Sequence, residues 1–265
     1  IFTSNPEDYT NRGTIVTPLK DRVGSQILTH YPESIEIAKK ITKQESKIDS
    51  ELGSKIHIPE VARDIIEQIS FEARESDLVD RKSGVSARMS ITSLQNLVSS
   101  AERRMIINKE ESTSIRMSDF SSVISSINGK VELVYEGEEE GAEQVSYNLI
   151  SSAVKSIFNK YFPRIEKLTK PDEITPYDPI LKWFSNKQLV INDNLKNKDY
   201  ENLLNEVIDA KKLIKKYIPE LNDDDQLFFV EFILWGLESY NKLSILRTNN
   251  GIEYKDPFNN FINKI

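Results

Sequence analysis

Apolar residues at helical spacing recur along most of this chain, and that repetition constrains its fold more than any single motif. Val61, Ala62, Ile65, Ile69 and Ala73 follow i, i+3 and i+4 spacing behind Ile58-Pro59, where the proline suits a first helical turn. Upstream, Ile35, Ala38 and Ile41 share one face, with Lys39, Lys40 and Lys43 largely opposite. A third helix is expected from about Ser90 to Ile107, burying Ile91, Leu94, Leu97, Val98, Ala101 and Met105. A fourth, Phe120 to Ile127, has Ser118-Asp119 to cap it and Asn128-Gly129 to stop it. Residues 33–128 therefore read as a four-helix unit.

Around that unit the pattern is less regular. Ile1–Thr3 and Gln26–His30 are the segments most like strands, with Pro18 opening a short helical turn through Asp21 and Arg22 between them. The polar, glycine-containing stretch Lys47 to Lys55 reads as a loop, and Lys130 to Tyr135 as a short strand. Glu136 to Glu143 holds five glutamates and two glycines. A solvated acidic loop is the plain reading of it, and a docking or cation-binding surface the functional one.

Glu143 to Phe162 is amphipathic through Val145, Leu149, Val154, Ile157, Phe158 and Tyr161. Pro163, Pro171, Pro176 and Pro179 then mark a linker before three helical segments, about Ile180–Lys187, Asp199–Tyr217 and Asp224–Leu246. Asp223-Asp224-Asp225 suits the amino end of the last one. The most apolar run, Leu227 to Trp235, is interrupted by Glu231 and too short to span a bilayer, so it reads as a buried helix. The fold class expected is mainly α.

Composition narrows the chemistry. The net charge is -7, which argues against a general nucleic-acid-binding surface. There is no cysteine, which removes disulfides, thiolate metal sites and a cysteine nucleophile. The two histidines, His30 and His57, lie far apart without metal-ligand spacing. No signal peptide and no membrane-spanning run is visible, so a cytoplasmic protein away from membranes is expected. No glycine-rich phosphate loop with Gly-Lys-Ser/Thr occurs.

Three polar residues remain as candidates. Asn5 follows the apolar Ile1-Phe2 and precedes Pro6, at a strand's carboxyl end, where a carboxamide can hold a water; local sequence alone favours an Asn that simply starts the turn before Pro6. Arg22 could reach a neighbouring subunit's phosphate, or simply pair with Asp21 or Glu36. Arg88, in Ser86-Ala87-Arg88 before an amphipathic helix, suits a phosphate at a helix amino end, or an ordinary exposed helix start.

Taken in order, the motifs around these residues resemble one family. Phe2-Thr3-Ser4-Asn5-Pro6-Glu7-Asp8, Thr17-Pro18-Leu19-Lys20-Asp21-Arg22-Val23-Gly24 and Ser83-Gly84-Val85-Ser86-Ala87-Arg88 resemble the AAA+ ATPases of the magnesium-chelatase I-subunit and MoxR-like branch. His30-Tyr31-Pro32, Ser100-Ala101-Glu102-Arg103-Arg104 and Gly129-Lys130-Val131-Glu132-Leu133 fit the same group. The likeness covers roughly residues 1–160.

The resemblance implies that Asn5 stands at the sensor-1 place and orients the attacking water. It puts Arg22 at the arginine-finger place, acting in trans across a homo-oligomeric ring, and Arg88 at the sensor-2 place on ATP phosphate. ATP and Mg2+ are its cofactors, and a von Willebrand A-type protein is a possible partner. It divides the chain into the end of an α/β core (1–32), a helical lid (33–128), an acidic loop with a linking helix (129–162) and a helical carboxyl-terminal extension (163–265). The phosphate loop and Walker-B acids have no counterpart here, so the chain is expected to be the carboxyl-terminal part of an ATPase. Its own share is half of a site, inactive alone and without tight nucleotide binding. The alternative is a stand-alone helical adaptor that binds protein partners and hydrolyses nothing.

Overall fold

The computed structural model describes residues 21–257 apart from 23, 26, 49, 82, 166–173 and 249. Among the described residues the fold is mainly α-helical, with five short strands. The strand expected at Ile1–Thr3 and the proline of the turn at Pro18 lie outside the described residues, as does Asn5.

Most of the stripes form helices where periodicity places them; the fourth, expected from Phe120 to Ile127, is instead a 3₁₀ turn that becomes α-helical only from Ile124. α1 (Ile35–Glu45) starts at Ser34, whose hydroxyl accepts from the Ile37 N–H at 3.3 Å. α2 (Ser50–Lys55) leads into β1 (Ile56–His57), and α3 (Glu60–Glu75) follows Pro59. α4 (Arg88–Asn108) is the longest helix described and ends on Lys109, which takes the left-handed conformation at φ 55°. β2 (Thr113–Ser114) pairs with β1 in parallel. A 3₁₀ turn, Met117–Val123, then runs into α5 (Ile124–Asn128). α6 (Tyr135–Glu140) and α7 (Ala142–Tyr161) follow.

The carboxyl-terminal part holds α8 (Asp178–Phe184), β3 (Leu189–Asn192), α9 (Asn197–Asn205), α10 (Ile208–Tyr217), α11 (Gln226–Ser239), β4 (Ser244–Thr248) and β5 (Gly251–Lys255). The last strand lies between the other two, antiparallel to both, in a three-stranded sheet.

One apolar core runs through all of this. α7 packs against α3 on one side and α11 on the other. α11 is buried all round from Phe228 to Leu237, as an apolar helix without a polar stripe must be. Phe158, Phe162, Tyr161, Phe229 and Phe232 interlock where it meets α7, with ring centroids 5.1 to 6.4 Å apart. Gly236 permits this approach: a Cβ there would lie 2.2 Å from the Phe158 ring.

Several expected elements differ. Residues 27–30 form no strand, and Ile27 and Leu28 stand exposed at 87% and 79%; an apolar dipeptide without a pairing strand gains nothing from extension. Lys47 to Lys55 is not all loop, because α2 occupies its second half, with Lys55 paired to Glu51 at 2.7 Å. Lys130 to Tyr135 makes one isolated bridge, Leu133 to Val79, rather than a strand. The acidic segment after it is helical as α6. The stripe from Tyr200 to Tyr217 is two helices, broken at Glu206-Val207, and α11 stops at Ser239, before the expected Leu246.

Candidate functional site

Of the residues expected to contact phosphate, Arg22 and Arg88 are described, and α4 brings Arg88 to a defined place. Met89 and Ser90 are buried, and the Ser90 hydroxyl lies 2.7 Å from that of Ser70 on α3. The first turn of α4 is thereby pinned to α3, leaving Arg88 as its exposed member. The Arg88 N–H donates to the Ser86 hydroxyl at 3.2 Å, and its carbonyl accepts from Thr92 at 2.8 Å. Its guanidinium makes no ion pair or hydrogen bond among the described residues. The first turn holds no acidic residue, and the Ser86 hydroxyl is its side-chain acceptor, so the arginine stands beside the positive pole of the helix without a carboxylate to offset either.

The loop leading into this turn is tied down from a distance. The Val85 N–H donates to the Tyr31 hydroxyl at 2.9 Å, while Arg74 of α3 lies over the Tyr31 ring, 4.1 Å from its centroid. Tyr31 therefore joins the segment before α1 to the entrance of α4. No sequence periodicity marks this tie.

Arg22 is exposed, with local helical backbone at Asp21 and Arg22. It makes no ion pair among the described residues, and Glu36, one of its expected partners, pairs instead with Lys39 at 3.4 Å. No contact joins Arg22 to Arg88 among the described residues, and Asn5 lies outside them. For a nucleotide phosphate the setting of Arg88 fits: an exposed cation stands at a helix's positive pole with no acidic residue in the first turn. For Mg2+ the described residues offer no set, because no group of three or more His, Asp or Glu among them could hold a metal ion.

A second polar constellation was hidden in the helices. At the other end of α4, Arg104 is 2% exposed and pairs with Asp119 while donating to the Ser114 carbonyl at 2.8 Å. Asp119 also accepts from the Arg116 N–H at 2.8 Å and from Ser100 at 2.9 Å. Asp119 therefore does not precede a helix as the expected cap: it lies within the 3₁₀ turn, accepts back from the Arg116 N–H at the turn's start, and is the counter-ion of a buried arginine. Glu231 of α11, fully buried, accepts from Tyr200 at 2.6 Å, Tyr254 at 2.9 Å and the Met117 N–H at 3.0 Å. Trp235 completes the chain by donating to Tyr254 at 2.7 Å.

Burial pushes the Glu231 carboxyl up from its ordinary value, opposed by the Tyr200 and Tyr254 hydroxyls. The same burial, followed by the Glu231 charge, raises both tyrosines. A charge interrupting the most apolar run in the sequence was the visible signal of this cluster.

No family model, curated protein or solved structure matches the chain. Among the described residues no helix is long and apolar enough to cross a membrane.

Proposed function

We propose that this chain contributes the helical lid, with its sensor-2 arginine, to an AAA+ ATPase of the magnesium-chelatase and MoxR-like branch. The observation that supports the reading is Arg88: exposed, its guanidinium without a partner among the described residues, and set at the positive pole of the longest described helix. A guanidinium there adds a directed, bidentate donor to the helix's own N–H groups, which suits a phosphate oxygen. In this reading Arg88 contacts ATP phosphate and couples nucleotide state to lid position. Arg22 reaches ATP held by the adjacent subunit of a ring, and Asn5 orients the attacking water.

Catalysis in such a site is positioning and charge stabilisation, supplied jointly by this chain and by a phosphate loop and acidic residues outside its 265 residues. Mg2+, if bound, would supply charge neutralisation at the phosphates, held by residues other than the described ones, which offer it no ligand set. Work done by the ring is remodelling of a protein partner or a metal-insertion complex in the cytoplasm, with a von Willebrand A-type protein as the candidate partner.

The test uses the protein that carries this chain together with a phosphate loop. Arg22→Ala is expected to lower ATP hydrolysis by roughly 10³–10⁵-fold while leaving ATP binding near wild type. Mixing it with a variant lacking the Walker-B acid should restore activity in part, because each supplies what the other lacks across a subunit boundary. Wild-type rates for Arg22→Ala, with no rescue to observe, would remove the finger assignment.

A further inference from the structure

We infer that the cleft between α2, the β1–β2 ladder and the amino ends of α9 and α11 binds a small phosphorylated molecule of about nucleotide size. The cleft measures about 750 Å³, within the range of small-molecule sites. Arg22 and Arg88 do not line it, so it stands apart from the phosphate contact proposed above.

Its charge runs against that of the molecule. In a chain of net charge -7, the walls present Lys43, Lys55, Arg63 and Arg116 against two carboxylates, Glu201 and Asp224. Both carboxylates are exposed. Lys43 makes no ion pair among the described residues. The partner of Arg63 is Glu60, 3.7 Å away and 74% exposed, a pair that water weakens. Asp225, at the amino end of α11, is turned toward His57, with Oδ1 2.6 Å from Nε2, so its charge is engaged at the cleft's edge.

Arg116 carries the inference furthest. It is 2% exposed yet has no carboxylate against its guanidinium. Its donors go to neutral acceptors, the Leu195 carbonyl at 2.9 Å and Asn197 Oδ1 at 3.1 Å. The guanidinium lies over the Tyr200 ring, 4.0 Å from the centroid. Burial, then the neighbouring Arg104, pushes it down from its ordinary value. Tyr200, Asp119 and Glu231 oppose that push without any carboxylate pairing directly with the guanidinium; a buried cation with no direct ion pair is costly, and an anion in the adjoining cleft offsets part of that cost.

The apolar wall of Ile56, Ile58, Leu227 and Phe228 suits the non-phosphate part of the ligand. Lys55 is paired with Glu51 at 2.7 Å and Arg63 with Glu60, both glutamates standing in water, so these two charges can turn to a ligand, while Lys43 and Arg116 have no ion pair among the described residues to give up. A dianionic phosphate gains more from such a set than a single carboxylate does.

Calorimetric titration of the whole chain with inorganic pyrophosphate and with ADP, both without metal, tests this. Both are expected to bind and to displace each other. Lys43→Ala and Arg63→Ala should each weaken binding about tenfold, Glu201→Lys should tighten it, and Lys182→Ala, exposed and outside the cleft, should bind as wild type; Arg88→Ala is measured beside them to tell the cleft from the α4 pole. Melting temperatures close to wild type confirm that each variant is folded. Absence of binding, binding indifferent to the Lys43 and Arg63 changes, or ADP binding without pyrophosphate binding would each overturn the assignment. Loss of binding only in Arg88→Ala would overturn it as well, and would place the phosphate at the α4 pole; a failed ring assay with intact cleft binding would strike the ATPase reading alone.

Discussion

α4 carries two arginines in opposite situations, one at each end. Arg88 stands in water with no partner, while Arg104 is buried and held by Asp119 and the Ser114 carbonyl. The difference shows what each can be for. A solvated, unpaired guanidinium costs the fold almost nothing to keep or to lose, so it is free to meet a ligand. A desolvated one is tolerable only because its counter-ion is built in, and removing that counter-ion leaves a bare charge in the core. The two ends should therefore separate cleanly in stability measurements.

The largest effect should follow Asp119→Ala. It strands the Arg104 guanidinium and removes the acceptor of both the Arg116 N–H and the Ser100 hydroxyl. A loss of about 3–5 kcal/mol is expected in urea unfolding. The double variant Arg104→Met/Asp119→Ala should recover part of this, since it removes the stranded charge. A single variant within about 0.5 kcal/mol of wild type would show that the buried end of α4 behaves like the exposed one.

A smaller, pH-dependent effect is expected at Glu231. Its carboxyl is raised in the folded protein by burial, so the unfolded chain binds fewer protons wherever the two states differ. Its contribution is fully present below the unfolded pKa and is lost as pH rises through the folded one. Glu67 and Glu238 are raised by burial too, with the same sign. Glu231→Gln cannot titrate, and its amide places an NH₂ where one of the donors needs an acceptor, costing about 1–2 kcal/mol at low pH. Urea unfolding between pH 4 and pH 8 should show this deficit shrinking as pH rises. A deficit constant across that range would mean that Glu231 titrates alike in both states.

Periodicity made α1, α3, α4, α7 and α11 legible, because each buries one stripe or, for α11, its whole circumference. It could not show where helices break within a stripe. Tyr200, Leu203, Leu204, Val207 and Ala210 keep helical spacing straight through the interruption at Glu206-Val207, and the buried face is continuous although the backbone is not. The end of α11 had a usable sign in Asn241, which takes a positive φ of 57°. The Lys242 N–H beyond it bonds back to the Leu237 carbonyl at 2.9 Å, so the chain turns into β4 where apolar spacing suggested more helix.

Gly251, at φ 151°, is likewise readable only once β3 is in place: a Cβ would lie 2.1 Å from the Ile191 carbonyl oxygen. The candidate site divides in the same way. Arg88 was legible because it begins a stripe, whereas Arg116, Asn197 and Tyr200 meet through long-range contacts that no local pattern encodes.

The smallest stability effect, and the one that most sharpens the contrast, belongs to Arg88→Ala. Exposed, unpaired and outside the Ser90–Ser70 contact that fixes the first turn, it should change unfolding free energy by no more than about 0.5 kcal/mol. The sign should be slightly favourable, since alanine is a good helix former and a cation beside the positive pole is mildly repelled. In the proposed ATPase, the same substitution is expected to lower ATP affinity or uncouple it from hydrolysis. Unchanged stability together with altered nucleotide response is the signature of a residue kept for a ligand. Unchanged stability with unchanged kinetics would make Arg88 an ordinary exposed helix start, and the contrast between the two ends of α4 would then be one of burial alone.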